Sequence, residues 1–190
     1  ALDLLKQAGI EPRLRHAANS AATLLYPEAH FDLIRPGLVT YGYSPLEEAH
    51  PLTAALQPAL TLTAPVTMCK RVTAGTGLSY NHLWHADRDT NILSVRCGYA
   101  DGYRRLLSGR TWAALRGERV EQRGRIAMDQ LLLDAGGLTA EPGERVTLIG
   151  GAGPGADELG QLAQSNAYDI LTSLGRRVQR RWLADQAAQE

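Results

Sequence analysis

Residues that could transfer protons gather in one short stretch of the sequence, GLSYNHLW (77–84). Tyr80 lies at its centre, and His82 and His85 follow closely. A tyrosine hydroxyl has an ordinary pKa of about 10, so it acts as a base near neutral pH only where nearby cations lower that pKa. Alternatively, Tyr80 is a packed aromatic side chain without a chemical role. His82 and His85 either assist proton transfer by Tyr80 or are ordinary half-buried side chains.

A second stretch, HAANSAATLLYPE (16–28), has the pattern of an anion site. A strand end and a turn of small residues precede a helix that begins at Asn19–Ser20. The first-turn amides of a helix are unpaired and its dipole is positive there, which favours a phosphate. A plain helix N-cap explains the same residues.

Arg35 ends an apolar strand in a third stretch, IRPGLVTYG (34–42). Pro36 and Gly37 turn the chain there, and the turn is expected to point the backbone amides of Gly37 and Leu38 outward. Taken alone this signal is weak, because most arginines at strand ends are simply solvated.

Polar side chains also interrupt two later stretches. GYADGYRRLLSGR (98–110) carries tyrosines and paired arginines around a turn, and GRIAMDQLLLD (124–134) has Arg125, Asp129 and Gln130 within an apolar strand. The rim of a hairpin explains most of the first stretch, and outward-facing strand positions explain Arg125 and Asp129 in the second.

A glycine-rich stretch, GGAGPG (150–155), lacks a following Gly-Lys-Ser/Thr, so it predicts a turn and not a P-loop.

Composition sets limits on the partners. The 190 residues carry 20 basic and 20 acidic side chains, so no excess charge points to nucleic acid or to an anionic membrane. Among the basic residues, all but Lys6 and Lys70 are arginine, which leaves few candidates for Schiff-base chemistry. Two cysteines without metal spacing predict no metal site, and no apolar run reaches the roughly 18 residues of a membrane span.

The elements that position these residues change character near residues 45–55. Before this point helices (1–8 and 21–26) alternate with strands (11–17 and 31–42), which is typical of a parallel α/β unit. Beyond it strands dominate, and two helices end the chain. The strands are predicted at 59–73, 90–97, 111–116, 123–134 and 144–150, and the helices at 157–164 and 169–186.

Six motifs in this order closely resemble the alanine racemase family over nearly the whole chain. They are HAANSAA, FDLIRPGLVTYG, SYNHLW, GYADGYRRLLS, GRIAMDQ and NAYDILT. The resemblance implies an α/β barrel that holds pyridoxal 5'-phosphate, joined to a β-rich C-terminal domain. Residues 1–45 would be the last βα units of this TIM-type barrel, and residues 46–190 the mainly β domain with terminal helices. The family's cofactor lysine lies in a VKANAYGHG-like motif that is absent here, so the chain resembles the C-terminal portion, expected to be inactive without the N-terminal barrel half.

The resemblance also implies a cofactor site. Ser20, the amides of Gly37 and Leu38, and the Tyr168 hydroxyl would bind the cofactor phosphate. Arg35 would face the pyridine nitrogen. Since arginine does not readily give up its proton, the nitrogen would stay unprotonated, and reprotonation at Cα would be favoured over side reactions such as transamination.

Tyr80 would be the catalytic acid–base on one face of Cα, opposite the lysine, and would serve the partner's site in a homodimer. The Met128 amide would position the substrate carboxylate, and Tyr99, Arg105, Arg125 and Asp129 would line the substrate entrance. Asn81 replaces a glycine that is frequent in the family, and it tolerates the left-handed backbone region better than most residues.

The resemblance implies a cytoplasmic enzyme that supplies D-alanine for bacterial peptidoglycan. Two alternatives remain open. One is a catalytically inert β-domain that dimerises or binds a partner, which the missing lysine favours for the isolated chain. The other is a racemase of broader amino-acid specificity.

Overall fold

The computed structural model describes residues 2–46 and 50–183. The chain divides into two compact units, residues 1–60 and 61–190. In the described part, no helix is long and apolar enough to cross a bilayer.

The first unit is made of short helices and turns. Its α-helices are α1 (Leu2–Gln7) and α2 (Ser20–Leu25), and 3₁₀ turns occupy Pro27–Ala29, Leu38–Tyr41 and Pro51–Ala55. Helix α1, predicted over 1–8, ends before Gly9, whose φ of 70° is typical of a helix C-terminus. Helix α2 has the expected N-cap, because the Asn19 side chain accepts from the Ala22 N–H at 3.0 Å.

The strands predicted at 11–17 and 31–42 are wrong, because the described residues of this unit form no strand. The two segments do lie side by side. The Asp32 N–H donates to the Arg15 carbonyl at 3.1 Å, and the Arg35 N–H donates to the Ala18 carbonyl at 2.8 Å. These two backbone hydrogen bonds do not form a strand ladder. A parallel strand is stable only where neighbouring strands continue the hydrogen bonding on both sides.

The second unit is built around a closed barrel of six antiparallel strands. The strands are β1 (Leu62–Val72), β4 (Thr90–Val95), β5 (Trp112–Leu115), β6 (Glu118–Arg123), β7 (Leu131–Asp134) and β8 (Arg145–Ile149). They pair in the order β1-β4-β7-β6-β5-β8. The long strand β1 pairs with β8 through its first half and with β4 through its second half, with a register shift between Val66 and Met68. Such shifts bend a strand and allow a small sheet to close without free edges.

Apolar side chains fill the barrel. Every strand contributes a residue at most 1% exposed: Val66, Leu93, Leu115, Val120, Leu133 and Val146. A two-stranded hairpin, β2 (Gly77–Leu78) and β3 (Trp84–His85), and two helices, α3 (Ala156–Leu162) and α4 (Ala167–Ser173), complete the unit. The mainly β character predicted for this part of the chain is confirmed.

Two predicted elements are corrected. The strand expected over 123–134 is reduced to β7 (Leu131–Asp134), because Gly124 turns the chain with a φ of 68° and residues 124–130 form a loop. The preceding strand β6 (Glu118–Arg123) was not predicted, apart from Arg123. The helix expected over 169–186 ends at Ser173. Leu174 is extended and the Gly175 N–H donates to the Asp101 carbonyl at 3.0 Å, which draws the chain away from the helix axis. The last residues of this prediction, 184–186, lie outside the described residues.

Candidate functional site

Tyr80 stands at the tip of the β2–β3 hairpin with 65% of its surface exposed. It begins a 3₁₀ turn, Tyr80–His82, whose backbone is unusual on both sides. Ser79 has φ 67° and ψ 178°, and Asn81 has φ 56° and ψ 27°. Asn81 therefore occupies the left-handed region, which an asparagine tolerates.

An apolar cluster holds this hairpin on the barrel. Leu78 and Trp84, which face each other across the hairpin, pack on the buried residues Val72, Ala86 and Ile92. The hairpin is thus fixed at its base, while the Tyr80 ring projects into solvent.

The loop 124–130 contacts the tip of the hairpin. The Arg125 N–H donates to the Ser79 hydroxyl at 2.8 Å. Arg125, Met128 and Asp129 are all exposed on this loop. The structure therefore brings predicted entrance residues into the loop that docks next to Tyr80.

A third segment joins the same loop from the other side. The Tyr99 N–H donates to the Ala127 carbonyl at 3.0 Å, and the Ala100 N–H donates to the Met128 carbonyl at 2.9 Å. The Met128 N–H forms no hydrogen bond within the described ranges, so it is free to donate to a ligand. Tyr99 and Met128 are consequently neighbours.

Tyr99 and Arg105 share an open cavity of about 450 Å³. Its lining consists of Tyr99, Ala100, Gly102, Arg104, Arg105, Leu106 and Ser173. Arg104 forms an ion pair with Asp169 on helix α4, while Arg105 is exposed. Arg104 is a lining residue that the sequence analysis missed, although its position beside Arg105 in an Arg-Arg pair was a usable signal.

Helix α4 also carries Tyr168, which is 46% exposed. The helix begins at Asn166, whose side chain accepts from the Asp169 N–H at 3.1 Å. The Tyr168 hydroxyl is accessible to a ligand, and its predicted place at a phosphate stays a prediction.

The remaining predicted residues lie in the first unit. The buried Ser20 hydroxyl accepts from the Gly37 N–H at 2.9 Å, so this amide points to Ser20 and not outward as predicted. The Leu38 N–H forms no hydrogen bond within the described residues, and the space beside Gly37 is open. A hydroxyl hydrogen and an unpaired amide next to open space are suitable donors for a phosphate.

Arg35 is exposed close to this pair. Its backbone N–H donates to the Ala18 carbonyl, and Nη2 donates to the Ala17 carbonyl at 3.3 Å. The other guanidinium N–H groups have no partner among the described residues, so they can donate to an acceptor on a ligand.

Two groups of the second unit have a pKa shifted by burial. Burial raises the pKa of the Cys97 thiol to about 12, and it also raises the pKa of the Tyr103 hydroxyl, which is 2% exposed. Both therefore stay protonated at neutral pH and act as packing residues. Within residues 2–46 and 50–183, no cluster of three His, Cys, Asp or Glu side chains is placed to hold a metal.

His82 and His85 stack with ring centroids 6.3 Å apart. The His82 ring also packs against Gly77, where a Cβ atom would overlap it. These contacts give His82 a structural role in the hairpin, and assistance to Tyr80 stays a prediction.

Similarity to known proteins covers both units. Residues 59–182 match the family model for the alanine racemase C-terminal domain, and residues 1–45 match the model for the N-terminal domain. The alanine racemase of Thermobifida fusca is 41% identical over 183 residues, which are 95% of this chain and 48% of that protein. That of Frankia casuarinae is 42% identical over 187 residues, 96% of this chain and 49% of that protein.

Solved structures agree. Alanine racemase from D-cycloserine-producing Streptomyces lavendulae has a TM-score of 0.89 and 41% identity, and the match covers 98% of this chain and 50% of that one. The Bacillus anthracis enzyme with bound L-Ala-P has a TM-score of 0.85 and 36% identity over 93% and 46% of the two chains. The Bartonella henselae enzyme with covalently bound pyridoxal phosphate has a TM-score of 0.80 and 29% identity over 96% and 51%.

The chain spans about half the length of the curated relatives it matches. One family model covers residues 59–182, well over half of the sequence, and the two relatives exceed 40% identity across almost all of it. The exposed tyrosine on its hairpin, the docking loop and the cavity thus occur in a chain that belongs to the alanine racemase family.

Proposed function

We propose that this chain forms part of a pyridoxal 5'-phosphate-dependent racemase that interconverts L- and D-alanine. The observation that carries the proposal is the exposed Tyr80, held on a fixed hairpin next to the loop of Arg125 and Met128. In this proposal residues 1–45 belong to the cofactor-binding α/β barrel and residues 46–190 to the β-rich domain. The cellular role would be to supply D-alanine for bacterial peptidoglycan in the cytoplasm.

The cofactor is supported by the donors around Ser20. The Ser20 hydroxyl, the Leu38 N–H and the open space beside Gly37 suit its phosphate. When bound, pyridoxal phosphate withdraws electrons from the substrate and makes the Cα proton acidic. Arg35 holds its own proton at neutral pH, so it would bind the ring nitrogen without protonating it, which favours return of the proton to Cα.

Tyr80 would hold or take the proton on one face of the substrate Cα. The opposite face needs a second acid–base group, which in the family is the cofactor lysine. Lys6 lies in helix α1 and Lys70 in strand β1, and neither is in the family's lysine motif. Neither lysine is therefore assigned this role. Because Tyr80 is exposed at a hairpin tip, we propose that it serves the active site of a second copy in a homodimer.

The substrate carboxylate would be bound by the free Met128 N–H. Tyr99, Arg105, Arg125 and Asp129 would form the entrance, and their exposed positive groups would attract a small zwitterion by its carboxylate. The cavity of about 450 Å³ that Tyr99 and Arg105 line is consistent with a small substrate.

Tyr80→Phe in the complete enzyme tests this function. Loss of the hydroxyl should leave cofactor binding intact and lower kcat for racemisation of L-alanine by at least ~100-fold, the low end of a general acid–base contribution. Tyr26→Phe is the matched control, since Tyr26 is similarly exposed at 53% and has no assigned role. Equal activity of Tyr80→Phe and the wild type would remove Tyr80 from the mechanism.

The second unit by itself supports an alternative function. Its six-stranded barrel is closed around buried apolar side chains, which suits a domain that dimerises without catalysis. Mixing the chain with an N-terminal half distinguishes the two functions. Restored racemisation of L-alanine requires catalysis and cofactor absorbance requires a bound cofactor, whereas a domain that only dimerises gives neither. Turnover measured over several L-amino acids would decide specificity, and a clear preference for lysine or arginine would exclude the alanine assignment.

A further inference from the structure

The residue that precedes Tyr80 has a backbone conformation that disfavours its own side chain. Ser79 lies at φ 67° and ψ 178°. This region is essentially reserved for glycine, and an L-residue there costs on the order of 1–3 kcal/mol. Such a conformation persists only where surrounding contacts hold it in place, so the contacts of Ser79 determine where the hairpin presents Tyr80.

Two contacts hold Ser79. Its hydroxyl accepts from the Arg125 N–H at 2.8 Å. Its Cβ packs on Gly124, where an added Cβ atom would overlap it. Gly124 itself has a φ of 68°, so a side chain at this position is excluded by strain as well as by space. A side chain at position 124 would therefore displace Ser79.

The turn that receives Ser79 is itself fixed to the barrel. Gln122 is 1% exposed, and its Nε2 donates to the carbonyls of Arg123 at 2.8 Å and Gly124 at 3.1 Å. Its Oε1 accepts from the Gly109 N–H. A buried amide with both ends bonded has one orientation, because any other would leave buried polar groups unpaired.

We propose that Ser79 is a positioning residue for Tyr80, and that Gln122 fixes the turn on which Ser79 docks. The inference rests on the proposed function of Tyr80 as an acid–base group. Ser79 does not touch the substrate. Its contacts with the loop 124–130 hold the Tyr80 backbone in a fixed position on the barrel. This matters because a displacement of about 1 Å at a reacting group lowers the rate on the order of 100-fold.

Two substitutions in the complete enzyme separate the roles of the Ser79 hydroxyl and backbone. Ser79→Ala removes the acceptor and keeps a Cβ that disfavours φ 67°, so the loop relaxes and kcat falls by roughly 10–100-fold with little change in KM. Ser79→Gly also removes the acceptor but carries no backbone penalty, so its kcat falls by only about 3–10-fold. Should Ser79→Ala not fold, Ser79→Gly still tests the lost acceptor.

Two further measurements distinguish positioning from a general structural defect. Loss of substrate Cα deuterium should slow much more from one enantiomer than from the other, since only the face served by Tyr80 is affected. Hydrogen exchange of the Arg125 N–H should accelerate at least about 10-fold in both variants, because the Ser79 hydroxyl no longer protects it. Thr67→Val is the control: it removes a hydroxyl that donates to the Ser94 carbonyl at 3.1 Å elsewhere on the barrel, and it should change none of these values.

Two outcomes would overturn the inference, provided that Tyr80→Phe is impaired. One is that Ser79→Gly has the kcat and the Arg125 N–H exchange rate of the wild type. The other is that Ser79→Ala slows proton exchange equally for both enantiomers. If Tyr80→Phe is itself fully active, the proposed function fails first, and the positioning role fails with it. A larger loss in Ser79→Ala than in Ser79→Gly, confined to one face, is the expected result.

Discussion

Replacing Asp134 by alanine would test the buried polar network that fastens the barrel wall beneath the hairpin. The Asp134 side chain is 2% exposed at the end of β7. It accepts from the Thr90 hydroxyl, from the Gly136 N–H at 3.1 Å and from Arg88 Nη2 at 3.2 Å. Arg123 Nε lies 3.9 Å away, and the Arg123 guanidinium stands 5.7 Å from the Trp84 ring of the hairpin.

The cost of this substitution follows from the partners it leaves behind. Thr90 is 0% exposed, and its hydroxyl would keep only a long contact of 3.4 Å to the Gly136 carbonyl. Each hydrogen bond to a carboxylate contributes about 1.5–3 kcal/mol. The Arg88 side chain is 56% exposed, so it stays hydrated and adds at most about 1 kcal/mol. Since desolvation of the carboxylate offsets part of this sum, we expect Asp134→Ala to lower the free energy of unfolding by about 3 kcal/mol.

Urea unfolding followed by tryptophan fluorescence measures this difference. The matched control is Asp89→Ala, because the Asp89 side chain is 51% exposed while it accepts from the Ala74 N–H at 3.1 Å and pairs with Arg71 at 3.5 Å. It should cost less than about 1 kcal/mol. A double-mutant cycle of Asp134→Ala with Thr90→Val should give a coupling energy of at least about 1 kcal/mol. Equal losses for the two aspartates, or no coupling to Thr90, would refute the assignment of this network as a stabilising one.

Two other predictions concern the cofactor site and the cysteines. Ser20→Ala should weaken binding of pyridoxal phosphate about 10-fold in an absorbance titration, because it removes a donor to the phosphate. Thr23→Val on the same helix is the control and should bind the cofactor normally. Unchanged binding in Ser20→Ala would remove Ser20 from the phosphate site. Cys97 should resist a thiol reagent at pH 8 until the protein unfolds, because burial raises its pKa from 9.0 to about 12. The same shift means that its contribution to stability is complete below pH 9 and is lost as the pH rises towards 12, so Cys97→Ala should show a shallower alkaline loss of stability in denaturant titrations.

Much of the second unit was predictable because its local signals agree. The strand prediction for 59–73 contains β1 (Leu62–Val72), and that for 90–97 contains β4 (Thr90–Val95). Both are runs of strand-forming residues bounded by turn residues. The motif SYNHLW likewise predicts Tyr80 as a candidate site residue without any knowledge of the fold. The strand prediction is wrong over 124–130, where Arg125 and Asp129 lie on a loop and not at outward-facing strand positions. A glycine within an apolar run does not reveal whether its φ is positive.

The first unit shows the limit of local signals in another way. The apolar stretch 31–42 has the residue types of a strand, but the formation of a strand depends on neighbours that satisfy its backbone groups. Here Arg35 and Asp32 each form a single backbone bond to the segment 15–18, and the ladder does not extend. By contrast, the N-cap at Asn19 was predicted correctly, since a cap needs only residues within one turn of the helix.

The sequence by itself determined the residue types available for chemistry, the local elements of the second unit and, through six ordered motifs, the family. Only the tertiary structure decided that Ser79 adopts a conformation suited to glycine, that the Arg125 amide and Gly124 hold it there, and that Gln122 fixes their turn. Ser79 and Arg125 are 46 residues apart in the chain. Contacts at that separation arise from barrel closure and register, which no local pattern of residues encodes.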